Sequence, residues 1–476
     1  MAQWNKNTQD YLNQERTLFE VFNVATSDGV QVSTTNPFPV TGTVGISSET
    51  LITINPDTNA VDAFGRGRVS EPFTLGDYKH LYAIDPNFLD SVSGAGSTVT
   101  FLINQACARL QTGIGTTAFS VHQTKFYHHY QPGKGQLIFS SFNFYAPQRN
   151  ATKRTGYFDD RDGIYFEQVG LNTSDGINSS IGTNNWVIRS FVSGIATETR
   201  IPQSQWNRDK CDGTGISGFN LDITKTQLAF IDFQWLGVGR VRCGFAHDGQ
   251  LITAHEFFHS NNSPTVYIAN PNLPVRCELR NTGVGIGASF DQICSSVMSE
   301  GGYVESGIDF AYTMLTTRTT PTPAGTELPL VAIRLKNSFQ GYPNRISVKL
   351  NNISLFCETN SIVYKVIKLP SSAYLGNAGT LTWTSASVNS GVEVCVNATT
   401  YDNGDVFASG YVPSGSSQNS LSPVASGTLS QAKKNIIVQN INSTDSEIYV
   451  LVARTITTTG NAVASVAAAL QWREIY

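Results

Sequence analysis

The residues best placed to do chemistry are His255-Glu256-Phe257-Phe258-His259, a formal HExxH. On a helix, positions i and i+4 stand ~6 Å apart on one face, so two imidazoles can share a zinc ion with the glutamate as base. Here the motif follows the turn dipeptide Asp248-Gly249 and the run Leu251-Ile252-Thr253-Ala254, and it ends at Ser260-Asn261-Asn262-Ser263-Pro264. That is strand text, and on a strand the two rings fall about 13 Å apart at ~3.3 Å per residue, too far for one ion. A second cluster, Asp159-Asp160-Arg161-Asp162 before Gly163, has carboxylates for calcium, but no Glu closes the loop at the required distance. A solvated turn between strands is expected there. A third set, Asp209, Asp212, Asp222 and Asp232, could supply a glycosidase pair, although no pairing is specified and acids dotted along sheet edges are the plainer reading. Gly65-Arg66-Gly67 lacks the flanking strand and helix of a phosphate loop, and no GxSxG elbow or Walker loop is present. The expectation is a chain without catalytic, cofactor-binding or metal-binding residues, and not an enzyme.

The elements that would have to position such residues read as β-strands. Gly215 to Asn261 holds three short apolar runs, Leu228 to Leu236, Arg240 to Phe245 and Leu251 onward, with Gly237 and Gly239 at a bend and Asp248-Gly249 as a hairpin turn. Three consecutive antiparallel strands are expected, and such a sheet needs a second layer over its apolar face. Between Ser97 and Val192 the text continues as a hairpin-rich meander, with Thr98 to Ile103, Thr124 to Tyr130 and Gln136 to Phe144 as its plainest strands. Beyond residue 326, Leu328 to Leu335, Ile346 to Phe356, Ile362 to Leu369, Thr380 to Thr384, Val392 to Val396, Asn435 to Val438 and Ile448 to Ile456 read the same way.

At 476 residues the chain exceeds one ordinary core. Charged residues make up 14% against a usual ~25%, while aromatics reach 11%, a low-charge β-type composition. A net charge of -4 offers no basic surface for nucleic acid, and no window approaches the ~18 apolar residues of a membrane span. The N-terminal text lacks the basic head and apolar core of a secretory signal. The cysteines Cys107, Cys211, Cys243, Cys277, Cys294, Cys357 and Cys395 include no CxxC pair, so free, buried thiols in a reducing compartment are expected.

Trp4, Tyr11, Leu12, Leu18, Phe19 and Phe22 lie on one helical stripe, which predicts an amphipathic helix followed by an extended arm, together spanning residues 1–60. A central β-sandwich over 61–315, a Thr/Pro linker over 316–326 and a C-terminal β-sandwich over 327–476 complete the division. The fold class is therefore all-β, with two jelly-roll-like β-sandwich domains behind an N-terminal helix and arm. All seven histidines precede the linker, so the second sandwich carries no histidine chemistry.

The ordered strings DAFGRGRVSEPFTLGD, YHHYQPGKGQLIF, GYFDDRDGIYF, WVIRSFVSG, SQWNRDKCDG, LDITKTQLAFIDFQWLGVGRVRCGF and NLPVRCELRN, across about residues 60 to 310, resemble a family of virion structural proteins of tailed phages of aquatic bacteria and of some large algal viruses. The resemblance implies a non-enzymatic particle component, as a tail, baseplate or fibre-associated subunit or else a head decoration or minor capsid protein. It implies assembly in the host cytoplasm into a virion with other virion proteins as partners; the closing of exposed sandwich edges and apolar patches around a symmetry axis predicts a homo-oligomer, a trimer. The alternative is a carbohydrate-binding or glycan-degrading β-sandwich, with a host surface glycan as ligand. A cleft holding Trp186, Trp206 or Trp235 beside paired acids would favour that alternative.

Overall fold

In a computed structural model, which describes residues 71–170, 182–402, 404–414, 416–421, 436–457 and 459–476, Asp248 and Gly249 take φ values of 48° and 76°. This left-handed pair is a type I′ turn. It folds Val241–His247 against Gln250–Phe257, and Gln227–Phe233 pairs with the free edge of Val241–His247. The three expected strands are thus consecutive neighbours. The sheet continues through Gln136–Asn143, Ala288–Ser299, Cys107–Thr112 and Thr98–Leu102, with Phe73–Lys79 also pairing Ala288–Ser299.

The covering layer is a seven-stranded antiparallel sheet. Its order is Ile195–Pro202, Gly182–Val192, Gly163–Gly170, Ala151–Phe158, Val275–Asn281, Phe119–Thr124 and Phe88–Ser93. Alternation sorts each strand into two faces. Tyr157, Ile164, Phe166, Trp186, Ile188, Cys277 and Leu279 point between the sheets and meet Phe142, Phe144, Phe233 and Phe245 from the first. The Phe144 and Phe166 rings stack at 5.7 Å, and Phe245 meets Phe166 edge-on at 5.2 Å.

The second sandwich pairs Ile308–Thr313, Ser465–Ile475, Ser347–Cys357 and Ser416–Leu421 in one sheet, and Thr384–Ser385, Val392–Cys395, Leu328–Leu335, Ile448–Thr455, Ile362–Leu369 and Asp405–Val412 in the other. Leu328–Leu335 and Ile448–Thr455 read as unbroken apolar runs because both faces are covered. Ile333 and Leu451 face the sandwich core, while Ala332 and Val450 pack under Leu375 and Cys395. Ile308–Thr313, assigned by the sequence to the first sandwich, is a strand of the second. Within the expected linker 316–326, Arg318–Thr319 pairs with Val466 and Ser465, and Thr320 and Ala324 are buried.

All of this lies in one compact unit, Asp62–Tyr476. The sandwiches meet where Phe126 packs on Ile436 and Val438. Glu447 receives both Lys125 (3.1 Å) and Lys368 (2.9 Å), and His129 Nδ1 donates to the Tyr476 carbonyl at 3.0 Å. The helix and arm expected over residues 1–60 lie outside the described residues. Among the described residues no helix is long and apolar enough to cross a membrane. All seven cysteines are free, and all but Cys294 are buried.

Candidate functional site

The hairpin joining Ala151–Phe158 to Gly163–Gly170 is the Asp159–Asp162 turn. Asp159 Oδ1 accepts from the backbone N–H of Arg161 (2.8 Å) and of Asp162 (2.9 Å), which rigidifies the turn from within. Asp162 Oδ1 accepts from Phe191 N at 3.1 Å and Ala269 N at 2.9 Å, tying the turn to two further segments. Burial pushes the Asp162 carboxyl above the ordinary carboxylate value, against the pull of those two N–H groups. The turn is therefore not the solvated one expected: Asp159 and Asp162 are buried, and only Asp160 and Arg161 reach outward.

Opposite the turn stands a short hairpin of the second sandwich, Ser338–Phe339 paired with Tyr342–Pro343. Gln340 and Gly341 take φ of 51° and 81°, again a type I′ turn, and Tyr342 is presented 63% exposed. Between the two hairpins lies a cleft of about 530 Å³, within the range of small-molecule sites. Phe191 and Tyr342 supply rings, with the Arg161 guanidinium 4.5 Å and 5.6 Å from their centroids. Asn270, Asn442, Arg345 and Ser443 supply polar groups. Arg345 donates to the Asn440 and Ile441 carbonyls at 3.3 and 3.1 Å, but its buried Nε has no protein partner, nor has the buried Oγ of Ser443. Both atoms are closed off behind the cleft wall, so the polar groups the cleft presents are the other atoms of its lining.

The cleft opens onto the outer face of the seven-stranded sheet. Glu278, Arg154 and Glu167 stand directly opposite one another on three adjacent strands. Arg154 bonds both glutamates, Glu167 at 2.8 Å and Glu278 at 2.7 Å. Glu278 also takes Arg276 (2.5 Å) and Arg280 (3.1 Å), and Glu198 takes Arg189 (3.0 Å) and Arg200 (2.7 Å). Burial would raise the Glu278 carboxyl, but Arg276, Arg154 and Arg280 outweigh it and hold the pKa well below the usual range. Phe158, Tyr165 and Val187 form a small apolar floor beneath the guanidiniums. No side chain fits at Gly156, whose Cβ would come 2.6 Å from the Ile164 carbonyl oxygen. This face forms a trough of about 520 Å³ that shares Asp160 and Arg161 with the cleft.

No protein-family profile matches the chain, and no curated protein is similar to it. Several solved structures align with part of the chain at low similarity. The Bacteroides ovatus mixed linkage glucan GH16 protein, in complex with product, is 9% identical with a TM-score of 0.32, over 46% of this chain and 99% of that one. An endo-1,3-beta-glucanase from Streptomyces sioyaensis is 8% identical (TM-score 0.29, covering 49% and 96%), and a legume lectin-like domain from Entamoeba histolytica is 10% identical (TM-score 0.25, covering 47% and 96%). The expectation of a chain that is not an enzyme is corrected: a GH16 protein and an endo-1,3-beta-glucanase stand among these neighbours, and no activity is carried from them to this chain. No residue correspondence is taken from them.

The other residues singled out in the sequence fall elsewhere. His255 and Glu256 lie on the strand Gln250–Phe257, and His259 lies just past it. His255 Nδ1 accepts from Asn207 N at 3.3 Å, His259 Nδ1 donates to Gly239 O at 2.8 Å, and Glu256 is held by Arg208 at 2.6 Å. Among the described residues no three His, Cys, Asp or Glu side chains are grouped to hold a metal. Purified protein is expected to carry substoichiometric zinc by elemental analysis; stoichiometric zinc lost on His255→Ala would overturn this. Asp209, Asp212 and Asp222 cap turns by accepting from Cys211 N, Thr214 N and Thr224 N, and Asp232 is buried against Arg242 at 2.5 Å. Trp186 and Trp206 are core residues, and Trp235 packs against the core with Nε1 on the Ile268 carbonyl. None of the three lines the cleft; its rings are Phe191 and Tyr342, which the sequence reading did not single out.

Proposed function

We infer that the protein binds carbohydrate in the cleft between the Asp159–Asp162 turn and the Tyr342 hairpin. The observation that carries this is the exposed Tyr342 ring facing a wall of carboxyl, amide and guanidinium groups. A sugar presents an apolar C–H face suited to a ring and a rim of hydroxyls that both donate and accept, so it can satisfy all of these groups together. The virion-subunit expectation gains no support from the fold or from the comparisons; a particle component that grips a host surface glycan remains compatible with the cleft.

The test is affinity electrophoresis through gels containing neutral glucan, mannan, xylan or galactan, with heparin and alginate as charged counterparts. At least one polymer is expected to retard the protein. Tyr342→Ala is expected to weaken that binding about tenfold, or ~1.4 kcal/mol, with the thermal midpoint unchanged because the ring is exposed. Migration unaffected by every polymer, or full affinity in Tyr342→Ala, would remove the reading.

A further inference from the structure

The trough on the outer sheet face is the second half of the site. Resting on the cleft's reading as a glycan site, we propose that cleft and trough together hold one uncharged polysaccharide chain, which crosses from one to the other over Asp160 and Arg161. Three observations carry this. The two hollows are of nearly equal size, about 530 and 520 Å³, and they share those two residues as a common sill. An isolated sugar would be served by the cleft alone, whereas a trough running on from it suits a polymer.

The second observation is charge balance. The cleft sets Arg161 and Arg345 against Asp159, Asp160 and Asp162, and the trough sets Arg154, Arg189 and Arg280 against Glu198 and Glu278. Five guanidiniums thus meet five carboxyls along the lining, and with Arg200, Arg276 and Glu167 bonded beside them seven meet six, so little net charge is left over. A sulfated or uronic polymer needs positive charge left over, and Arg154, Arg189 and Arg280 each already hold a carboxylate. A hydroxyl matches either partner, because it donates to carboxylate oxygens and accepts from guanidinium N–H groups.

The third is preorganisation. The carboxylates and guanidiniums of the trough are fixed by mutual bonds of 2.5 to 3.1 Å on strands in register, so little side-chain order has to be imposed when a chain arrives. The outer wall of the trough is the edge strand Ile195–Pro202, whose exposed Ala196 lines it without entering the core.

The experiment uses the neutral polymer retained best in the gel panel, cut into a disaccharide and a long oligosaccharide, with both titrated calorimetrically against wild type and Ala196→Trp. The long fragment is expected to bind wild type at least tenfold more tightly than the disaccharide. In Ala196→Trp, where the indole fills the trough, the long fragment should fall to the disaccharide's affinity while the disaccharide is unaffected and the circular dichroism spectrum is unchanged. Equal affinities for the two lengths in wild type, or an undiminished long-fragment affinity in Ala196→Trp, would confine binding to the cleft and overturn the continuous site while the glycan reading stands. Heparin or alginate bound more tightly than every neutral polymer would overturn the uncharged class. If no polymer binds at all, the cleft reading itself fails, a result distinct from each of these.

Discussion

Replacing Glu278 by alanine is expected to destabilise the protein by about 3–5 kcal/mol, the usual cost of removing one partner from a buried ion network. Glu278 is 1% exposed and stands among Arg154, Arg276 and Arg280, of which Arg276 is equally buried. Without the carboxylate, guanidinium repulsion is left in a poorly hydrated place, because Asp160 and Glu167 can neutralise only part of it. The same residue sets a pH dependence. Its folded pKa is depressed well below 4.5, so its contribution is full above the unfolded carboxyl value and is lost as pH falls from there toward the folded value. Denaturant midpoints measured from neutral pH down through pH 4.5 should therefore decline less steeply in Glu278→Gln than in wild type. A Glu278→Ala variant within 1 kcal/mol of wild type would show that the three guanidiniums are hydrated or re-paired once the carboxylate is gone.

Trp472→Ala is expected to cost a similar amount, about 3–5 kcal/mol, for a different reason. The indole is fully buried in the second sandwich, stacks near Phe310 at 6.4 Å, and donates from Nε1 to Glu474 at 3.0 Å. Its removal leaves a cavity and loosens a buried carboxylate that also receives Ser390 Oγ at 2.5 Å and Gly391 N at 2.9 Å. Trp472→Phe, which keeps most of the volume and loses only the donor, should recover more than half of the loss. Chemical unfolding of both variants decides it, and a Trp472→Ala midpoint close to wild type would mean that the core collapses to refill the space.

The β-architecture was legible because strand text and turn text are local. Asp248-Gly249 announced its hairpin, and Leu328 to Leu335, Ile362 to Leu369 and Ile448 to Ile456 match their strands to within a residue. Sheet membership was not legible, since it depends on partners far away in sequence: Ile308–Thr313 joins the second sandwich by pairing with Ser465–Ile475. The site was half visible. The Asp159–Asp162 cluster was noticed for its acids, but its anchoring comes from the backbone of Phe191 and Ala269, and the facing wall comes from Tyr342, Arg345 and Ser443. Gln340-Gly341 was the one local signal on that side, a weaker form of the Asn-Gly turn. The tryptophans misled because indoles are as much at home in a core as on a sugar-binding wall. Three strings that carry the resemblance, GYFDDRDGIYF, WVIRSFVSG and NLPVRCELRN, also supply much of the lining of cleft and trough.

The pairing of Ser465–Ile475 with Ile308–Thr313, Arg318–Thr319 and Ser347–Cys357 governs the order of events as the chain is made. Ile308–Thr313 and the edge of Ser347–Cys357 that takes up Ser465–Ile475 emerge first and must wait unpaired until that strand, synthesised more than a hundred residues later, slots between them. Closing so distant a contact is slow, and unpaired edges are prone to join neighbouring chains in the meantime. Nascent chains stalled before residue 465 should therefore aggregate or recruit chaperones, while the first sandwich, whose strands all precede residue 300, can already have closed.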